Sequence, residues 1–75
     1  MQDPPIDVEA LRWRRAELRW TQEMLAVRAG LTTSFIKKVE QGRRGMSLQG
    51  RMQVAAALGC HPDDLLVKPR KHKAA

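Results

Sequence analysis

Residues 21–42 read TQEMLAVRAGLTTSFIKKVEQG, and their punctuation decides the fold. Thr21 places a capping hydroxyl at the start of a helix, with Trp20 just before it and Leu25 five residues after that tryptophan. A hydrophobic pair spaced this way around a cap staples the first helical turn. The helix predicted from this start runs from Gln22 to Ala29, and Gly30 supplies the left-handed residue that ends it. Leu31, Thr32 and Ile36 then repeat the same staple and cap, predicting another helix through Glu40 or Gln41, which Gly42 stops.

The pattern extends in both directions. Upstream, Val8, Leu11, Arg15 and Leu18 fall at steps of three and four, one face of a helix spanning Asp7 to Leu18 and capped by Asp7. Arg15 interrupts that apolar row, and a charge there needs a buried partner. Downstream, Ser47 caps a helix whose Leu48, Met52, Ala55 and Leu58 form the expected buried row, closed by Gly59. A last short helix is expected from Pro62, with Asp63 and Asp64 at its positive end and Leu65 and Leu66 available for burial. No strand pattern or repeat is visible, so the predicted class is all-α: a compact five-helix domain over residues 7–67. Residues 1–6 are expected to be a flexible start, and residues 68–75, KPRKHKAA, a flexible basic tail.

Seventy-five residues allow one small domain, and a formal charge of +6 favours a polyanionic partner such as nucleic acid. Cys60 is the single cysteine, so no intramolecular disulfide or multi-cysteine zinc site can form. His61 and His72 have no carboxylate array at metal-site spacing, and no phosphate cradle is present, so no metal, cofactor or enzymatic role is expected. No apolar run approaches the ~20 residues that span a bilayer, and no basic signal sequence opens the chain. A cytoplasmic location without a membrane partner is the expectation.

Two helices of about eight residues joined by a tight turn, with basic side chains on the second, describe a helix-turn-helix. Several positions sharpen that reading: Thr21-Gln22, Leu25-Ala26, Gly30, Ser34-Phe35-Ile36 and Glu40-Gln41-Gly42, followed by SLQGRMQVAAALGCHPDDLL over residues 47–66. Together they resemble the phage-repressor and Cro-like, or XRE-type, regulators over residues 8–67. The resemblance implies a lambda-repressor-like domain that binds double-stranded DNA and regulates transcription. It also implies an ion pair between Arg15 and Glu40, and a Gln22 that touches phosphate while bracing the recognition helix. Several positions depart from the family pattern: Arg19 where a glycine is frequent, Met46 where proline is, Arg51 where leucine is common, Met24 where a glutamate often stands and Cys60 where valine is common.

On the recognition helix Phe35, Ile36 and Val39 are expected inside, which leaves Thr33, Ser34, Lys37 and Lys38 outside. Thr33, Ser34 and Lys38 are the candidate base readers, lysine because it donates to guanine O6 and N7; Lys37 is assigned to phosphate. Arg43 and Arg44 are assigned to phosphate or the minor groove, and Ser47 to a cap whose helix end can also meet phosphate. One such domain reads few base pairs, so a homodimer on a palindromic operator is expected, acting as a repressor. The competing reading is an antitoxin-like adaptor that binds a protein partner and autoregulates through DNA binding, suggested by Trp13 and Met24 as apolar residues on outward faces.

Overall fold

The computed structural model describes residues 3–67. Four α-helices follow one another: α1 (Val8–Glu17), α2 (Gln22–Ala29), α3 (Thr33–Glu40) and α4 (Leu48–Leu58). Each starts on a side chain that accepts a backbone N–H three residues on: Asp7 from Ala10, Thr21 from Met24, Thr32 from Phe35 and Ser47 from Gly50. Caps of this kind are worth ~1 kcal/mol each, a sizeable help to helices of two to three turns. Gly30 and Gly59 end α2 and α4 in the left-handed conformation.

The end of α1 is unusual, because the left-handed residue there is Arg19, at φ 59°. Its N–H donates to Ala16 O at 2.9 Å and the Trp20 N–H to Arg15 O at 3.1 Å, the paired bonds that normally recruit glycine. A side chain in this conformation costs roughly 1 kcal/mol relative to glycine. The turn geometry is thus kept although the usual residue is not.

Every helix contributes to one core, built on Leu11, Leu25, Ala26, Ala29, Ile36, Val39, Val54 and Ala55 together with Met46 and Leu65 from the connecting segments. Helix α2 packs against both α3 and α4, and α1 closes over α3 and the C-terminal turn. Two expectations are corrected here. The last element is a single 3-10 turn, Pro62–Leu65, so the fold has four α-helices rather than five. Its shortness has a cause: Leu66 leaves helical geometry to form an antiparallel bridge with Ile6. Asp7 N donates to Leu65 O at 2.8 Å and Val67 N to Pro5 O at 3.1 Å, so the chain enters and leaves the domain as a paired edge. The tail expected over residues 68–75 lies outside the described residues.

The second correction concerns α4. Its buried face is Gly50, Arg51, Val54 and Ala55, whereas Leu48 and Met52 are 57% and 50% exposed. Met46, ahead of the cap, is completely buried and occupies core space before the helix begins. Helix α4 therefore enters already turned, with Leu48 outward and Met52, one turn later, beside it.

Candidate nucleic-acid interface

Helix α3 divides sharply. Ile36 and Val39 are buried and Phe35 is half-buried, while Ser34, Lys37 and Lys38 are exposed and Thr33 is partly so. Neither lysine forms an ion pair among the described residues, so both ammonium groups are free to meet an anion. Arg43 lies exposed just past the helix. Arg44 has a more defined place: its guanidinium lies 4.5 Å from the centroid of the Phe35 ring, and its Nε donates to Gly45 O at 3.3 Å. Stacking on an aromatic face fixes the stem of an arginine without neutralising it. The loop charge is thereby attached to α3.

The orientation of α3 is set at its C-terminal end. Arg15 Nε donates to Glu40 Oε2 at 2.7 Å and its Nη2 to Glu40 Oε1 at 2.8 Å, a two-pronged pair in which the glutamate side chain is only 3% exposed. The third arm of Arg15, Nη1, donates to Trp20 O at 2.8 Å, and Gln22 Nε2 donates to Glu40 Oε1 at 2.9 Å. One guanidinium thus joins the end of α1, the start of α2 and the end of α3. Forked geometry of this kind resists rotation as well as separation. Gln22 spends an N–H on the brace, which leaves its amide oxygen and remaining hydrogen without a hydrogen bond among the described residues.

The sequence reading missed two residues of this region. Arg12 and Gln41 line an open groove together with Arg15, Gln22 and Glu40. Arg12 stands one helical turn before Arg15, a spacing that could have identified it. Ser47 accepts the Gly50 N–H at 3.2 Å, so its hydroxyl oxygen is engaged in capping. Arg51 lies elsewhere, buried between α4 and the 3-10 turn, with Nη1 3.5 Å from Asp63 Oδ1 and Nε without a partner.

Among the described residues, Cys60 and His61 serve the fold. Cys60 is partly buried against the core, and burial pushes its thiol pKa up, with Arg14 opposing and Asp64 adding to the shift. A raised pKa keeps the sulfur protonated, the opposite of nucleophile activation. His61 caps the 3-10 turn, its Nδ1 accepting the Asp63 N–H at 3.1 Å while Asp64 Oδ2 accepts the His61 N–H at 3.1 Å. Among the described residues no cluster of three or more potential ligands could hold a metal, and no helix is long and apolar enough to cross a membrane.

Comparison with known proteins bears on the family of this fold. A family model described as a helix-turn-helix domain matches residues 8–66. The control protein C.BamHI of Bacillus amyloliquefaciens is 36% identical over 53 residues, covering 71% of this chain and 65% of that protein. A hypothetical transcription factor of Neisseria meningitidis is 34% identical over 61 residues, covering 81% of this chain and 58% of that protein. The chain therefore spans about three-fifths of the length of these curated relatives. The crystal structure of the restriction-modification controller protein C.AhdI from Aeromonas hydrophila superposes with a TM-score of 0.75 at 36% identity, covering 79% of this chain and 89% of that one. These relatives are regulators rather than enzymes.

Proposed function

This chain belongs to the helix-turn-helix domain family of DNA-binding transcription regulators, and from that premise we propose that it represses transcription as a homodimer on a palindromic operator. The observation that supports this reading best is the pairing of a locked scaffold with a free surface. The Arg15–Glu40–Gln22 network holds α3 at one angle, while Ser34, Lys37 and Lys38 on its outer face remain unpaired among the described residues. Thr33, Ser34 and Lys38 read base edges in the major groove; Gln22, Lys37, Arg43 and the α4 start at Ser47 hold phosphate. Arg44, stacked on Phe35, approaches the backbone or the minor groove as α3 seats. Two copies place two such helices about 34 Å apart along one face of the duplex. The likeness to control proteins suits a regulator that acts by occupying a DNA site.

Selection of bound duplexes from a random DNA pool tests the proposal. A two-fold symmetric consensus with half-sites one helical turn apart is the expected result, and recovery of unenriched sequence rejects it. The adaptor reading draws on Trp13, which is 63% exposed on α1. Met24 supports it less, being half-buried. Capture of one protein at fixed stoichiometry, lost in Trp13→Ala, would favour that reading over the regulator.

A further inference from the structure

Among the described residues, α4 carries the one exposed helical face without a formal charge. Leu48, Met52 and Ala56, at steps of four, line up along it with Gln49 beside them, and all four are exposed. Between Gly45 and Cys60 the only charged residue is Arg51, in a chain that is 29% charged. That one charge is turned away, because Arg51 is buried and directed to Asp63 in the 3-10 turn. On the opposite border Gln53 is held to α2, its Nε2 donating to Ala29 O at 2.9 Å. The exposed large apolar side chains of the other helices have different surroundings. Trp13 stands between Arg12 and Arg14, Leu18 between Glu17 and Arg19, and Val27 next to Arg28 with Glu23 one turn before it.

An uncharged apolar stripe suits a contact in which like charges would otherwise meet. Two copies of this chain repel each other through a formal charge of +6 apiece, and that repulsion costs least where neither copy brings a charge to the seam. A two-fold contact sets the same patch against itself, so the patch must also be complementary to its own copy. Leu48, Met52 and Ala56 meet that condition: a neutral apolar row pairs with an identical row, the small alanine lets the helices approach, and the methionine side chain adapts to fill the gap. The stripe starts one residue after Ser47, at the margin of the surface assigned to DNA, so a second copy seated on it lies beside the same duplex. We propose that this face of α4 is the dimer seam, taking the same face of a second copy, with Met52 opposite its counterpart near the two-fold axis. The inference rests on the homodimer reading above and assigns it a surface.

Sedimentation without DNA should show the parent chain passing from monomer to dimer as its concentration rises. Met52→Glu and Met52→Lys should each weaken that association about tenfold or more, because each sets two like charges against one another in a desolvated seam. An equimolar mixture of the two variants should recover the dimer, since opposite charges then meet across the axis. On DNA, a pool-selected palindrome should lose its affinity advantage over an isolated half-site in both variants, whereas general attraction to phosphate changes in opposite directions with the sign of the new charge. Thermal melts check that both variants fold, and Gln49→Glu repeats the measurement at an exposed polar position. Dimers that persist in both Met52 variants, or a parent chain that stays monomeric at every concentration, overturn the seam; a palindrome then still taken up by two protomers leaves the homodimer reading standing. Loss of dimers in the variants without recovery in the mixture overturns the placement of Met52 at the axis. A parent chain that dimerises through α4 but enriches no duplex overturns the DNA reading and leaves the seam.

Discussion

Arg51 carries the least compensated charge in the fold. Its side chain is only 7% exposed, its Nε has no partner, and its one acceptor, Asp63, is a long 3.5 Å away and itself mostly in water. Burying a guanidinium on those terms costs more than the contact returns, so Arg51→Met, which keeps the unbranched stem, should raise stability by ~1 kcal/mol in urea melts. Arg15 and Glu40 present the contrary case. Replacing Arg15 by Met leaves a carboxylate that is 3% exposed with Gln22 alone, an expected loss of ~3–5 kcal/mol. Glu40→Ala should cost less, about 2 kcal/mol, since Arg15 is 18% exposed and keeps Trp20 O. A double-mutant cycle separates the pair from its surroundings, and additive losses below about 1 kcal/mol would make it an ordinary surface contact. The demand for a partner was legible at Arg15, because a charge broke an apolar row. Burial of Arg51 was not, because long cationic side chains ordinarily reach water and only the packed turn beyond α4 prevents it here.

At the level of elements, α3 and the loop after it should fail in different ways. Lys38→Ala should lose ~1–3 kcal/mol on the preferred duplex and relax the preference at one position of each half-site. Arg43→Ala should weaken selected and random duplexes by similar factors, with a shallower salt dependence. Binding of each variant to a panel of single-substitution operators distinguishes them; a Lys38 variant with its full preference would move base reading elsewhere on the surface. Caps at all four helices and glycine stops after α2, α3 and α4 made these elements readable from sequence within about a residue, since both act through local hydrogen bonds. The buried face of α4 was not readable in the same way. Leu48 and Met52 have helical spacing, but Met46 reaches the core first, and a helix's rotation depends on what arrives before it. The C-terminal turn was unreadable for a related reason: Leu66 is apolar enough for a helix, yet its backbone is claimed by Ile6, far away at the other end of the described chain.

For the whole molecule, the dimer proposal sets an expectation in solution. Sedimentation of the chain with a selected palindrome should give two protomers per duplex, and with an isolated half-site one, bound much more weakly. A single protomer on the full palindrome would remove the symmetric model. The paired edge formed by Pro5–Asp7 and Leu65–Val67 bears on a different property, the order in which the chain is written. Because the domain's two ends lie side by side, a short linker could join them without disturbing α1 to α4, and new ends could be opened at exposed Gln41–Gly42. Such a circular permutant would keep the core and the Arg15–Glu40 brace while freeing α3 from the loop that follows it. The architecture is in this sense a ring of contacts, with the starting point of synthesis as an incidental mark upon it.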